Sequence, residues 1–558
     1  MYRSVAIALL LQLVAAPGLA APGEATEVAT PAAPQELKAA TKRNALSVPL
    51  GGFVWLEPAG SFRWRLEVWR GMDLGLQPLA NPFGVYRQVY DSGANPGQSG
   101  SSWRETSDLR LRLEPSLWIG DRAVIHTRID VMDVVAGSGL GTSILEGGGV
   151  GTPSMGPSMS GSAGFVDSIA VRGVWLDLDL FSFIGLRLGR IPTQWGLGML
   201  ENSGDCAWCD KGDSFDTLGI RATPFDLATF EIDLDFPLEG TTGRAAMDWP
   251  FAPDVDRGDA DDILQIRLKA SSVQGPEPVP GTGFQWGGYA RFRWQDYSTS
   301  GQDLQKPSCA PDGLGDLPYE CVELFYKDAL FITPDVWVQA GWNVGTGILY
   351  LAAEFAGHYG RFKATQATDK TDTGKEFLAG GGLVRLWWES ERTRFAFEGG
   401  IASGDGDADA FGVYDGYVAA VPDLSHEDWG TVRRNDLVTA WMFNPAYLAD
   451  SILFRHVVGA VTNAWYVKPT ADVALWRTRD KGLAAVASVM YAGAVMPRQT
   501  PGGRAALGLE TELGLRFRWD HVEASISGTG LVPFAGFDHG DGLPLPAWLL
   551  RTGLLVSF

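Results

Sequence analysis

The final twelve residues, 547–558, read Ala-Trp-Leu-Leu-Arg-Thr-Gly-Leu-Leu-Val-Ser-Phe. Alternate side chains share a face of an extended chain, and five large apolar side chains of this stretch fall on one face: Trp548, Leu550, Leu554, Val556 and Phe558. The opposite face carries Arg551 and Ser557. In a soluble domain a terminal strand of this kind would be an apolar edge prone to aggregation. We therefore predict that it closes a sheet surrounded by lipid.

The same two-residue period recurs along the chain. Phe230, Ile232 and Leu234 alternate with Glu231 and Asp233, and comparable segments predict about 18 strands, within a range of about 16–20. The predicted strands are 62–71, 107–117, 122–133, 168–180, 184–191, 216–223, 226–236, 261–270, 284–296, 330–342, 348–360, 376–388, 392–402, 462–475, 482–494, 505–518, 521–531 and 547–558. The predicted fold class is all-β, a transmembrane antiparallel β-barrel.

The connections between these strands alternate in length. Tight ones, such as 118–121, 181–183, 223–224 and 389–391, are followed by long polar ones. The long connections are 72–107, 134–167, 192–215, 237–260, 297–328 and 403–460. Short periplasmic turns and long external loops are typical of outer-membrane barrels. We expect these long segments outside the cell, with the reservation that 403–460 can also fold inward as a constriction, its most polar part being His426 to Arg434.

The N-terminal residues have the features of a targeting segment. Residues 1–20 carry Arg3, a short apolar core and a small-residue cleavage site at Gly18-Leu19-Ala20, which predicts a secretory signal peptide. Residues 21–50 are rich in Ala, Pro, Thr and Glu, and 21–60 are expected to form a flexible periplasmic leader. The barrel is then expected over 61–558, in the outer membrane of a Gram-negative bacterium.

Composition excludes several classes of protein. A net charge of -21 argues against nucleic-acid binding, which requires a basic face. The six histidines are scattered, no nucleophile motif is present, and the Gly-rich stretches lack a following helix and Gly-Lys-Ser ending. We therefore expect no enzyme activity, no catalytic residue and no cofactor.

Charged residues at alternate strand positions are predicted to line a water-filled lumen. Their signs nearly balance, so selectivity is left open, as is the alternative that they pair with each other and fill a narrow lumen. The predicted lining residues are Arg63, Arg65, Glu67, Arg110, Arg112, Arg128, Asp130, Asp177, Asp179, Arg187, Arg221, Glu231, Asp233, Arg267, Arg291, Arg293, Glu510, Glu512, Arg516, Arg518 and Arg551.

Four cysteines lie in two of the predicted external loops. Cys206 and Cys209 share one loop, and Cys309 and Cys321 share another, so pairing within each loop is the simplest of three connectivities. A zinc site and a redox CxxC site fit the spacing and context less well. Acidic clusters at 205–216, 254–262 and 405–409 lack a complete calcium-loop motif, which favours a solvated acidic surface and no metal site.

Several segments resemble a family of outer-membrane barrels from myxobacteria and related bacteria. The resemblance covers most of the mature chain and rests on LRLRLEP at 109–115, IDV at 129–131, GRIPTQWGLG at 189–198, ITPD at 332–335, ILFR at 452–455, VTNA at 461–464 and YVKP at 466–469. It implies a barrel and an outer-membrane address but no substrate. The stretch at 189–196 is also similar to segments of porins and alginate-export-type barrels.

These observations predict a porin-like channel for passive diffusion of small hydrophilic solutes. The alternative is a structural or adhesive barrel that presents long, disulfide-stapled external loops. The expected partners are outer-membrane lipid, lipopolysaccharide and the outer-membrane assembly machinery, for which Phe558 is the predicted assembly signal. A homo-oligomer is compatible with the sequence, and nucleic acid is not an expected partner.

Overall fold

The computed structural model describes residues 47–72, 74, 103–136, 169–206, 208–210, 212–224, 228–237, 263–272, 275, 277–300, 323–362, 365–366, 375–405, 437–538 and 544–558. Three short helical turns, Leu453–Val458, Pro497–Gln499 and Ala535–Phe537, accompany the strands. In chain order the strands are β1 (Val48–Gly51), β2 (Val54–Glu57), β3 (Gly60–Arg70), β4 (Arg104–Leu113), β5 (Ser116–Ile119), β6 (Ala123–Ala136), β7 (Ile169–Phe181), β8 (Ile184–Pro192), β9 (Ser214–Ala222), β10 (Thr229–Phe236), β11 (Leu264–Ser271), β12 (Gly283–Ser300), β13 (Glu323–Val344), β14 (Gly347–Phe362), β15 (Thr365–Gln366), β16 (Lys375–Glu389), β17 (Thr393–Ala402), β18 (Leu437–Val438), β19 (Ala464–Arg477), β20 (Lys481–Ala494), β21 (Ala506–Trp519), β22 (Val522–Pro533) and β23 (Ala547–Ser557).

The long strands form one antiparallel sheet that closes on itself. Each pairs with the next along the chain, and β23 pairs with β3 from Trp548 opposite Arg70 to Ser557 opposite Ser61. With β4 and β5 counted as one strand, the closed sheet has 18 strands: β3, β4–β5, β6–β14, β16, β17 and β19–β23. The predicted antiparallel barrel of about 18 strands is confirmed, and every predicted strand overlaps one of these.

The barrel wall is apolar outside and polar inside. On β10, Phe230 and Ile232 point outward and are 46% and 58% exposed, whereas Glu231 and Asp233 point inward and are buried. A soluble sheet would bury the apolar face instead, because exposing large apolar side chains to water is unfavourable. The outer surface of this barrel is therefore suited to lipid and its inner surface to water and ion pairs.

The two ends of the barrel differ. The turns at one end are short, for example 182–183, 345–346 and 478–480, and we call this the short-turn end. The barrel's terminal strands meet there: Gly60 N donates to Phe558 O at 2.9 Å, and Phe558 N donates to Gly60 O at 3.0 Å. The long connections lie at the other end, and 72–107, 134–167, 237–260 and 297–328 fall mostly outside the described residues.

A hairpin extends the sheet at the short-turn end. Strand β2 continues the line of β3 and pairs with β5, and β1 pairs with β2 from Val48 opposite Leu56 to Gly51 opposite Val54. The leader predicted over 21–60 is therefore wrong for these strands, because β5 offers a free edge for pairing. Within the described ranges no helix is long and apolar enough to cross a membrane.

Candidate functional site

Two connections between strands lie inside the barrel. We call residues 193–213, between β8 and β9, the first inner segment, and residues 439–463, between β18 and β19, the second inner segment. In the first, Trp195 Nε1 donates to Asp335 Oδ1 on β13 at 2.8 Å, and Asp210 pairs with Arg65 on β3 at 2.8 Å. Strands β3 and β13 lie on opposite sides of the closed sheet. The first inner segment thus crosses the lumen, and the prediction of an external loop over 192–215 is wrong.

One end of the first inner segment is held by the carboxylate of Glu354 on β14. This carboxylate accepts hydrogen bonds from the backbone N–H groups of Leu197 and Leu200, the latter at 3.3 Å. Trp195 is fully buried beside Trp337, with ring centroids 6.3 Å apart. Backbone N–H groups that would be costly to bury unpaired are therefore satisfied by a wall side chain.

Glu201 attaches the same part of the segment to neighbouring strands. Its carboxylate pairs with Arg267 on β11 at 3.0 Å and accepts a hydrogen bond from the hydroxyl of Tyr289 on β12 at 2.5 Å. Arg267 also pairs with Asp235 on β10 at 2.5 Å, so the guanidinium bridges two carboxylates. Buried charges of this kind are stable only when such partners surround them.

The other end of the first inner segment carries a disulfide between Cys206 and Cys209. The carbonyl oxygen of Cys209 accepts hydrogen bonds from Arg63 Nη1 at 3.0 Å and Arg110 Nη1 at 2.9 Å. The predicted pairing within this loop is confirmed, but the disulfide lies against the lumen wall and not in an external loop. Cys309 and Cys321 lie outside the described residues.

Two aspartates flank this disulfide and meet wall arginines. Asp205 pairs with Arg128 on β6 at 2.5 Å, and Asp210 pairs with Arg65 at 2.8 Å and with Arg455 at 2.7 Å. Desolvation raises the pKa of the Asp210 carboxyl, but Arg65 and Arg455 outweigh it and hold that pKa well below its usual range. Asp210 is therefore ionised at neutral pH and offsets part of the positive charge of the wall.

The second inner segment is held by Glu510 on β21. Its carboxylate accepts hydrogen bonds from the backbone N–H groups of Ser451 at 2.8 Å, Ile452 at 3.1 Å and Leu453 at 2.9 Å. Ser451 and Ile452 precede the π-helical turn Leu453–Val458, and Leu453 is its first residue. A carboxylate at this position satisfies several N–H groups that have no partner within the turn. Of the two predictions for 403–460, the inward one holds for residues 439–460, which lie inside the barrel. His426 to Arg434 lie outside the described residues.

Apolar packing fixes the second inner segment further. Phe443, Ile452 and Leu453 are fully buried in one cluster with wall residues, several of which are small, including Ala402, Ala464 and Ala492. Small inward side chains leave room for the segment to pack closely, and burial of its apolar residues stabilises the contact. This segment is therefore part of the barrel's interior core.

The two inner segments contact each other inside the barrel. Asn444 N donates to Met199 O at 2.8 Å, and Asn444 Nδ2 donates to Leu200 O at 3.2 Å. The ion pair between Arg455 and Asp210 is a second link, at 2.7 Å. Together the segments form one partition that narrows the lumen.

The structure places every predicted lining residue at an inward position of the wall. Arg112 pairs with Asp130 at 2.7 Å, Arg187 with Glu231 at 2.9 Å, and Arg551 with Glu67 at 2.7 Å. The predicted lining residues that are buried are Arg63, Arg65, Glu67, Arg110, Arg112, Arg128, Asp130, Arg187, Glu231, Asp233, Arg267, Glu510 and Arg551. Those that keep more exposure are Asp177, Asp179, Arg221, Arg291, Arg293, Glu512, Arg516 and Arg518.

The acidic clusters do not form a metal site in the part of the chain that is described. No group of three or more His, Cys, Asp or Glu side chains there has an arrangement that would hold a metal ion. Asp205 and Asp210 are engaged by arginines, and Asp216 pairs with Arg190 at 2.7 Å on the outer face of β9. The cluster at 254–262 and the residues Asp407 and Asp409 lie outside the described residues.

Sequence reasoning missed the residues that hold the inner segments. The roles of Trp195, Glu201 and Asn444 depend on strands distant in the chain, and nothing near them in the sequence shows this. One signal was present: 452–458 reads Ile-Leu-Phe-Arg-His-Val-Val, which is too apolar for a solvated external loop. Such a stretch inside a long connection indicates that the connection packs inside the barrel.

No protein-family model matches the chain, and no curated protein matches it. Similar solved structures include OccK11 (OpdR) of Pseudomonas aeruginosa, at 7% identity and a TM-score of 0.44, covering 90% of this chain and 96% of that one. A BenF-like porin from Pseudomonas fluorescens Pf-5 has 9% identity and a TM-score of 0.45, with 90% and 98% covered. Pseudomonas aeruginosa OpdK, solved with vanillate, has 9% identity and a TM-score of 0.43, with 90% and 99% covered.

Proposed function

We propose that the protein is a channel in the outer membrane of a Gram-negative bacterium, through which small hydrophilic solutes diffuse passively. The observation that carries this proposal is the polarity of the closed wall, which is apolar outside and charged inside. A barrel with this polarity is stable in lipid and keeps its interior compatible with water. A closed sheet of 18 strands is also wide enough to enclose an aqueous lumen.

The two inner segments support a narrow passage, and therefore a limit on solute size. They lie inside the barrel and are attached to wall strands on several sides, through Glu354, Glu510 and Arg65 among others. Solutes that pass must fit beside this partition. Polar groups at the partition replace part of a solute's hydration, which favours hydrophilic over apolar solutes.

The proposal includes the targeting, orientation and surroundings of the barrel. Residues 1–20 act as a signal peptide, the short-turn end faces the periplasm, and Phe558 is recognised by the assembly machinery. Lipopolysaccharide and phospholipid surround the apolar outer face. The chain is a barrel of the type found in myxobacteria and related bacteria, and it has no enzyme activity.

Planar-bilayer recording tests the channel function. Purified, folded protein is expected to give stepwise increases of current in potassium chloride, while heat-unfolded protein at the same concentration gives none. Folded protein that produces no steps would favour the alternative of a structural or adhesive barrel. That alternative predicted two disulfides in external loops, but the disulfide of Cys206 and Cys209 lies in the lumen.

A further inference from the structure

We propose that the short-turn end of the lumen contains a binding site for a phosphate group, carried by a solute or by a lipid headgroup. The site is a cavity of about 320 Å³ between β16 and β21, bordered by the turns after β16, β19 and β21. This inference rests on the proposed channel function and extends it, because it names phosphate as a chemical group that the lumen binds. It involves neither inner segment.

The cavity opens toward the inside of the barrel. Arg394 on β17 lies opposite Asp472 on β19 in the sheet register, and Arg516 on β21 lies opposite Ala484 on β20. All four are inward positions of their strands and line the cavity. A charged solute in the lumen therefore reaches these side chains without entering the lipid.

The charge of the cavity favours an anion. Among the described residues that line it, seven are Lys or Arg and five are Asp or Glu. The carboxylate of Asp472 is already hydrogen-bonded to Arg516. Arg518 forms an ion pair at 2.7 Å with Glu523, which lies outside the cavity. The acidic side chains thus leave part of the positive charge without a direct partner, which raises the local concentration of anions.

Arg394 is the residue that identifies a site within this surface. Its Nε is buried and has no hydrogen-bond partner among the described residues. Glu389 and Asp472 lie opposite it in the sheet register, but neither forms an ion pair or a hydrogen bond with it. Its guanidinium lies over the ring of Trp387, with Cζ 5.6 Å from the ring centroid. Buried polar groups in proteins are usually satisfied, and a guanidinium with an unpaired N–H donor is suited to an oxyanion acceptor.

The arrangement suits phosphate better than a single carboxylate. One arginine can satisfy both oxygens of a carboxylate in a bidentate pair. Here cationic side chains reach the cavity from separate elements, Arg394 and Arg516 from strands and Arg392 from a turn. Donors from several directions match a phosphate group, whose free oxygens, three in a monoester and two in a diester, point in different directions.

Isothermal titration calorimetry of the full chain in a maltoside detergent, with inorganic phosphate as the probe, tests the site. The wild type is expected to show saturable binding, and Arg394→Gln is expected to weaken it by about tenfold or more, as loss of a charge-assisted bond implies. Arg361→Gln is the matched control, because Arg361 is exposed at the opposite end of the barrel, and it should bind as the wild type does. If Arg394→Gln does not fold, the exposed turn variant Arg392→Gln should weaken binding severalfold.

A second arm distinguishes the source of the phosphate group. Short-chain phosphatidylglycerol, kept below its micelle concentration, replaces inorganic phosphate in the same titration. If inorganic phosphate binds and the binding depends on Arg394, the site is assigned to solutes. If only phosphatidylglycerol binds in an Arg394-dependent way, the site is assigned to lipid headgroups. Absence of saturable binding for both probes, or equal binding by wild type and Arg394→Gln, would overturn the inference. Because calorimetry needs no current, phosphate binding without conductance would refute only the proposed channel function.

Discussion

Arg65 on the barrel wall and Asp210 on the first inner segment form a bidentate ion pair, with Nη2 to Oδ1 at 2.8 Å and Nη1 to Oδ2 at 3.1 Å. The geometry matches the fork of a guanidinium to the two oxygens of a carboxylate. The pair joins residues 145 positions apart and docks the segment against β3. It also determines how much positive charge of the wall remains for mobile ions.

Neutralising Asp210 should make the channel more selective for anions. In Asp210→Asn the arginines Arg65 and Arg455 lose their shared carboxylate, so their field acts on ions in the lumen. In a tenfold gradient of potassium chloride, the reversal potential should move toward that of chloride by on the order of 10 mV, against a limit of about 59 mV for perfect selectivity. Asp216→Asn removes the same charge from the outer face and should leave the potential unchanged. Equal potentials for wild type and Asp210→Asn would contradict this role.

The disulfide should stabilise the part of the first inner segment that contacts the arginines. The link closes a loop of four residues and so lowers the entropy of the segment when it is locally unfolded. In the double variant Cys206→Ser, Cys209→Ser, the free energy of local opening should fall by about 2 kcal/mol. Amide hydrogen exchange in residues 203–213 should then become roughly 25-fold faster. Exchange in the wall strand β20, whose backbone pairs with β19 and β21, serves as the internal reference. Unchanged exchange in 203–213 would show that the ion pairs alone hold the segment.

Glu510 should be the main polar anchor of the second inner segment. In Glu510→Gln an amide NH2 group replaces one of the two acceptor oxygens that hold three backbone N–H groups, and we expect local opening of 451–454 to become easier by about 2 kcal/mol. Faster amide exchange in this stretch measures the effect. Glu512→Gln is the matched control, since Glu512 makes one bond to Ser451 Oγ at 3.2 Å. An effect of Glu512→Gln as large as that of Glu510→Gln would refute the assignment.

Removal of Phe558 should impair closure of the barrel. Its backbone exchanges two hydrogen bonds with Gly60, and its ring lies against Gly60, where an added Cβ would come within 2.8 Å of it. Deletion therefore leaves the first and last strands incompletely paired, and less heat-modifiable protein should accumulate in the outer membrane. Phe558→Ala keeps the backbone pairing and should be less affected. A deletion variant that accumulates at the normal level would contradict a role in assembly.

The strands could be predicted from the sequence because their pattern is local. In a wall with lipid on one side and water on the other, each strand must alternate by itself, as Phe230 to Asp235 do. The structure lengthens some strands, and β13 runs from Glu323 to Val344 where 330–342 was predicted. The excess lies toward the long-connection end, where the alternation is weaker.

The inner segments could not be assigned from local pattern. A polar connection such as 193–213 has the same composition whether it meets water outside or arginines inside, and its partners lie far away in the chain. Arg63 and Cys209 are 146 residues apart, and Asn444 and Asp213 are 231 apart. Only the apolar run at 452–458 pointed inward by its own composition.

Liposome swelling tests passive diffusion of small hydrophilic solutes most directly. Vesicles containing folded wild-type protein are placed in isotonic solutions of uncharged sugars of increasing size, with vesicles containing heat-unfolded protein as the reference. We predict rapid swelling in a pentose and markedly slower swelling in a trisaccharide, because the two inner segments narrow the lumen. Swelling no faster than the reference in every sugar would contradict the channel function.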